Sequence, residues 1–299
     1  MTAASVVAAP VITLGIGGVR TRFEAAEPEL RLSVAFPSTR FLQGEKSPVD
    51  CVVRVRRGDA DPGPEPPWFV SGGPWEVHRG PHGGDRVAFW TALAEGGREP
   101  MMRLDLSTAL DRGEMTVAPR YAPGGAVSIG FPLDEYLTAR LLARRGAVIV
   151  HASSVADDGD AFVFLGHSGA GKSTLAEIAE SCGAQVMSDD RTVLRVDHGH
   201  VVAAGTPWHG SYASGAPDAA RVRGLFLLEQ AQTNAVVPLH VAHAFSELMV
   251  RTVRPTAEAA EQRAVVDVVQ RIVETMPVAV LRFRRDPSAM QTVRDFVSA

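Results

Sequence analysis

Hydrophobic spacing divides this chain into two regimes. Up to about residue 125, apolar and polar positions alternate in short runs: "LRLSVAF", "DCVVRVRRG", "WFVSGG", "WEVHRG", "DRVAFWTALA", "MMRLDLS" and "EMTVAP". Alternation with a period of two marks strands with one wet face, and the intervening Gly, Pro and Asp residues mark turns. An antiparallel, β-rich region is expected. Its opening, "MTAASVVAAPVITLGIGG", is apolar, has no basic n-region and is interrupted by Pro10, so it predicts a first strand and not a secretion signal. The stretch "GDADPGPEPPW" (58–68) carries too many prolines for a ladder and predicts a loop. Trp68, Trp75 and Trp90 are expected as core or sheet-face residues.

Further on the period changes. "PLDEYLTARLLARRG" (132–146) places Leu133, Leu137, Leu141 and Leu142 at helical spacing, with Pro132 in the first turn and Gly146 as a stop. A buried strand "AVIVHASSV", a polar turn and a second strand "AFVFL" follow. Then come the glycine-rich run "GHSGAGKST" (166–174), a helix predicted from Lys172 to Ser181 and closed by Gly183, and a strand "AQVM" that runs into "SDD". "RTVLRVD", "VVAAGTPW" and "RVRGLFLLE" continue as strands, 240–275 as a helical stretch, and "VAVLRF" with "DPSAMQTVRDFV" as a last strand–helix pair. The expected division is a β-rich region over 1–128 and an α/β domain of mixed α+β character over 129–299. No internal repeat is evident.

Composition narrows the function. The net charge of −4 gives no general attraction to nucleic acid or to an anionic membrane, and no run of 18 apolar residues suits a membrane span. The two cysteines, Cys51 and Cys182, lie far apart, which fits a reducing, cytoplasmic setting and speaks against a Cys-based zinc site. Among 30 basic residues the lysines are Lys46 and Lys172 alone. Lys172 sits in a match to GxxxxGK[ST] formed by Gly166, Gly171, Lys172 and Ser173, with a buried strand before it and a helix after it. In such a loop the backbone amides of residues such as His167, Ser168, Gly169 and Ala170 surround phosphate oxygens. The lysine reaches the β/γ-phosphates and the serine hydroxyl takes Mg²⁺. A GTPase base-recognition element is excluded, because the one asparagine is Asn234, and the LSGGQ signature of transporter ATPases is missing. Asp189 and Asp190 follow Lys172 by 17 and 18 residues (189 − 172 and 190 − 172), and a strand–helix–strand unit returns them to the loop. Such a pair can hold Mg²⁺ or take a proton from an acceptor hydroxyl, or one acid can cap a turn while the other is solvated.

The stretch "HASSVADDGDAFVFLGHSGAGKSTLAEIAESCGAQVMSDDRTVL" resembles the core of HPr kinase/phosphorylase and its smaller relatives, a P-loop kinase core of the phosphoenolpyruvate-carboxykinase type. The resemblance covers 131–230 well and the remainder loosely; the β-rich first region resembles nothing in that family. It implies ATP and Mg²⁺ as cofactors, with nucleotide held by Gly166, His167, Ser168, Gly169, Ala170, Gly171, Lys172, Ser173 and Thr174, and metal by Ser173 and Asp190. It further implies Asp189 as base toward a serine hydroxyl, with Lys172 and His151 beside it; a histidine ending a buried strand is equally a hydrogen-bonded core residue. The family's Glu-x-Arg-Gly is matched at Arg223–Gly224 but has Arg221 where the metal-binding glutamate stands. "GTPWHGSY" (205–212) is typical of the shorter relatives, some of which resemble serine kinases of peptide natural products. Trp208 and His209 either face the acceptor or anchor a turn, and Arg251 and Arg254 either neutralise the phosphoryl group or are solvated. The expected function is an ATP-dependent kinase acting on a serine of a small protein or peptide, with no nucleic-acid or membrane partner and with homo-oligomerisation left open. Two alternatives stand: a small-metabolite kinase of the shikimate or gluconate type, and a nucleotide-binding regulatory protein without transfer, for which Arg221 is the best sign.

Overall fold

The computed structural model describes residues 6–44, 46–256 and 258–298. The chain divides inside one helix into two compact units, Met1–Leu141 with Arg254–Glu258, and Leu142–Val253 with Ala259–Ala299.

The first unit holds strands β1 (Val6–Ala9), β2 (Val11–Ile16), β3 (Val19–Ala25), β4 (Arg31–Ala35), β5 (Cys51–Arg57), β6 (Phe69–Val70), β7 (Trp75–Arg79), β8 (Asp85–Ala92), β9 (Arg98–Leu106), β10 (Arg112–Val117) and β11 (Ala126–Ser128). The single first strand expected from the sequence is two, because Pro10 cannot donate to a ladder; β1 joins a small β1-β4-β11 sheet and β2 opens an eight-stranded one, ordered β2-β3-β5-β10-β9-β8-β7-β6. The sheets are also not wholly antiparallel. β5 runs parallel to both β3 and β10, and β11 parallel to β4. The cause is β4, which leaves for the small sheet, so the chain reaches β5 from β3 by a crossover and not by a hairpin. Alternation buries Ile12, Phe23, Val53, Leu104 and Met115 on one face, while Glu24, Arg54 and Glu114 stand in register on the other. Trp75 and Phe89 meet the ring of Tyr136 edge-on at 6.1 Å, which seats the first turns of α1 (Leu133–Arg144) on this sheet. Trp68 and Trp90 are half-buried under Arg79 and Arg98, at 4.4 and 4.3 Å from the ring centroids.

The second unit carries β12 (Ala147–Asp157), β13 (Asp160–Leu165), α2 (Lys172–Ser181), β14 (Gln185–Ser188), β15 (Arg191–Asp197), β16 (His200–Ala204), β17 (Ala219–Gln230), β18 (Ala235–Pro238), α3 (Val241–Val250), α4 (Ala259–Thr275), β19 (Val278–Phe283) and α5 (Ser288–Ser298). It is a mixed α/β arrangement. β12 pairs with β13 on one edge; on the other it pairs with β15 along its first half and β14 along its second. Through β15–β16, β16–β17 and β17–β13 the pairing closes on itself, and β19 and β18 extend from the far half of β17. The expected helical stretch over 240–275 is two helices, parted around Pro255.

β13 and β14 are both antiparallel to β12, so they run the same way with β12 between them. Leu165 lies opposite Ala152 and Ser188 opposite Ser154, so both strands end against one short segment of β12. That register places the glycine loop and the two aspartates on either side of His151. The alternation of β13 sends Val163 and Leu165 into a core under α3 and α4, and Phe162 and Phe164 into a core under α2 and α5. Apolar cover on both faces explains why "AFVFL" reads as an unbroken apolar run. Among the described residues no helix is long and apolar enough to cross a membrane.

Phe226, fully buried and stacked on Phe164 at 6.0 Å between centroids, is central to the α2/α5 core. Replacing it with alanine is expected to lower unfolding free energy by about 3–5 kcal/mol in urea titration. A loss below about 1 kcal/mol would mean that the site collapses around the missing ring.

Candidate active site

A helix that follows directly on a tight loop has first-turn N–H groups with no helical partner. Gly171, with φ of 104°, precedes α2, and no side chain caps that helix and no acid stands in its first turn. A β-carbon at Gly171 would lie 2.7 Å from Cζ of Phe283, so both dihedral and space require glycine. The positive end of α2 therefore carries no compensating side chain. Across the loop, His167 and Ser168 are exposed, the Ala170 amide donates to the His167 carbonyl at 3.1 Å, and Gln230 donates to the Gly169 carbonyl at 2.9 Å. Thr174 is half-buried in the first turn.

Lys172 folds back over this loop. Its Nζ donates to the carbonyls of Gly166 at 3.1 Å and His167 at 3.2 Å and lies 3.2 Å from Nε2 of His151; the residue is 7% exposed. Burial lowers its pKa, Asp190 and Asp189 oppose that, and Arg191 and Arg251 add to it. His151 is pushed down to about 4, first by burial and against the pull of Asp190, with Lys172, Arg191 and Arg251 acting in the same sense as burial. The imidazole is therefore neutral near pH 7. One tautomer satisfies its surroundings: Nε2 accepts from Lys172, and the Nδ1 hydrogen goes to Oδ1 of Asp190 at 3.2 Å. Nη1 of Arg191 also abuts Nδ1; two donors cannot share that contact, and the guanidinium is held by Oδ2 of Asp190 instead.

The two acids differ in environment. Asp190 has both oxygens engaged, by His151 and Arg191, and its carbonyl accepts from the Ala152 amide at 3.1 Å. Asp189 is 1% exposed; Oδ2 accepts from the amides of Gly210 at 3.1 Å and Tyr212 at 3.0 Å, and Oδ1 is buried without a protein partner. The Ser173 hydroxyl accepts from that of Ser211 at 3.1 Å. Gly210, Ser211 and Tyr212 escaped the sequence reading, since nothing local in "GTPWHGSY" shows that its tip folds onto Asp189 and Ser173. Trp208 is buried, as an anchor would be, whereas His209 is exposed with Nδ1 against the neighbouring Gly210 carbonyl.

The segment after α3 also joins the site. The His151 amide donates to the Arg251 carbonyl at 2.7 Å and the Val253 amide to the Ile149 carbonyl at 2.8 Å, so this segment pairs with β12. Arg251 donates through Nη1 to the carbonyl and carboxylate of Glu247 at 2.8 and 2.5 Å, while its Nε is buried and unpartnered. A cleft of about 470 Å³ opens here between His151, Gly166, His167, Arg191 and residues 250–253. Arg254 is exposed and belongs to the first unit. Arg221 is exposed too, in register with Asp160, which opens β13 at the end remote from the loop. A larger cavity of about 800 Å³ in the first unit contains none of these residues.

Among the described residues no three or more His, Cys, Asp or Glu side chains group as a metal cluster. Ser173, Asp189 and Asp190 carry hard oxygen donors, the type that suits Mg²⁺, although both oxygens of Asp190 are engaged by His151 and Arg191 here.

No protein-family model matches the chain, and no curated protein does. Among solved structures, an HPr(Ser) kinase/phosphatase from Coxiella burnetii aligns with a TM-score of 0.32 and 13% identity, over 50% of this chain and 95% of that one. A likeness this low does not bear on the activity of the present chain.

The depressed His151 pKa has a consequence for folding. Between its ordinary 6.5 and about 4 the unfolded chain binds the proton and the folded chain does not, so stability is full above 6.5 and falls as pH drops through that window. Urea midpoints measured from pH 7 to 4 are expected to decline less in His151→Gln than in the parent. Parallel declines would show that His151 is not the group responsible.

Proposed function

We propose that this chain transfers the γ-phosphoryl group of ATP to a hydroxyl, the acceptor being a serine of a small protein or peptide. The observation that carries this reading is the position of Lys172: a buried ammonium bonded to two loop carbonyls, at the uncapped start of α2 and beside an acid pair. Lys172 and the first-turn amides neutralise the phosphates. Ser173 and Asp190 would hold Mg²⁺, which when bound offsets the charge of the β- and γ-phosphates. Asp189 receives the acceptor proton on Oδ1, the oxygen without a protein partner. The neutral His151 accepts from Lys172 and keeps that ammonium directed along the loop. Arg251 lines the cleft, where charge on the moving phosphoryl group would need a positive partner.

Val250, 73% exposed where it lines the cleft, favours a peptide side chain over a polyhydroxylated metabolite. Arg221, the residue that spoke for a silent regulatory protein, stands at the far end of β13 and touches none of this machinery.

Transfer of label from γ-labelled ATP with Mg²⁺ into serine peptides tests the proposal. Lys172→Ala is expected to reduce transfer by about 10²–10³-fold and Asp189→Asn by about 10²–10⁴-fold. Transfer at the parent rate in Asp189→Asn would remove the assigned base, and no transfer to any hydroxyl by the parent chain would remove the kinase reading.

A further inference from the structure

We infer that Ser211 is itself an acceptor, phosphorylated in cis by the chain that carries it. This inference rests on the phosphotransfer reading above. It starts from the segment between β16 and β17, which is tied down at both ends. A β-carbon at Gly205 would lie 2.0 Å from the Ala216 carbonyl oxygen, so the two stems of the loop touch there. The Gly205 amide donates to the Asp218 carbonyl and the Ala216 amide to the Met187 carbonyl, each at 3.0 Å, and Gly215 bridges to Ser188. These bonds fasten the loop to β14, the strand that delivers Asp189.

The tip is fixed just as firmly. The amides on either side of Ser211, those of Gly210 and Tyr212, both donate to Oδ2 of Asp189, and the Tyr212 hydroxyl donates to the carboxylate of Glu180 on α2. Backbone and neighbours therefore hold the loop without help from the Ser211 side chain. What that side chain adds is a hydroxyl, exposed on a short peptide segment and 3.1 Å from the Ser173 hydroxyl, which belongs to the phosphate loop. A serine peptide thus already lies across the base and the phosphate site, which is the arrangement an acceptor from outside would have to reach.

The step balances as follows. Oγ of Ser211 forms a bond to the γ-phosphorus of ATP, and the bond from that phosphorus to the bridging β–γ oxygen breaks. ADP leaves with that electron pair, and the serine proton passes to the Asp189 carboxylate, which the flanking amides hold beside this segment, and then to water. The products are phosphoserine at 211, ADP and one proton.

The test uses the full chain with ATP and Mg²⁺, followed by peptide mapping for phosphate, with ATP consumption and labelling of an added serine peptide measured in the same tubes. Phosphate on residue 211 is expected, with a rate constant that does not change with protein concentration. It should vanish in Ser211→Ala and persist on the threonine of Ser211→Thr, which keeps the hydroxyl and guards against a folding artefact. Consumption of ATP or labelling of the added peptide with residue 211 left unmodified overturns the inference and leaves the kinase reading standing. A rate proportional to protein concentration overturns it in favour of transfer between copies. An absence of nucleotide binding and of ATP consumption removes the kinase reading, and this inference with it.

Discussion

A lysine ammonium taken out of water must find acceptors or lose its proton, and Lys172 is taken almost wholly out of water. Much of the second unit is arranged around that requirement. Two carbonyls must turn inward to meet Nζ, which only a loop rich in glycine allows at the end of β13. The third neighbour, His151, has to be an acceptor, and burial keeps it one by holding its imidazole neutral. Nearby Asp189 and Asp190 supply the opposing charge, while Arg191 and Arg251 add positive potential. The cluster is charged and close, it borders a cleft, and the helix that begins at Lys172 is uncapped. Those are the conditions under which a polyanion is bound strongly.

The geometry follows from register more than from any one side chain. β12 is long enough to take β13 along one edge and β15 and β14 in turn along the other. Because β13 and β14 finish against neighbouring residues of β12, the loop, the acids and His151 converge without any of them lying on a long flexible segment. The residues after α3 close the remaining edge of β12 and bring Arg251 to His151 through backbone bonds. The loop from Gly205 to Gly215 covers the acid side in the same manner, through its amides. Rigid backbone pairing therefore positions nearly every group in the site.

What was legible in the sequence is what local spacing determines. α2 runs from Lys172 to Ser181 as expected, since a glycine loop sets its start and Cys182–Gly183 its end. Period-two alternation marked β4 to β10 of the first unit but passed over β3 and β11, and it gave no directions: β4 departs to another sheet, and no residue pattern announces which neighbour a strand will choose. The short edge strand β18 escaped notice for the same reason, as did the break between α3 and α4. In the site, the glycine loop before α2 and the acid pair at the end of β14 could be located from spacing alone. The division of labour between Asp189 and Asp190 could not, since it depends on Arg191, His151 and two loop amides that are distant or ambiguous in sequence. Arg221 shows the converse: a departure from a family motif drew attention at a position the fold carries away from the loop.

Whether the loop around Lys172 is a phosphate cradle is read most directly by calorimetric titration with adenosine, ADP and ATP in the presence of Mg²⁺. A cradle of this kind gives affinity that rises with each added phosphate, and the rise disappears in Lys172→Ala. Equal affinities along the series, or a Lys172→Ala protein that keeps the parent profile, would contradict it.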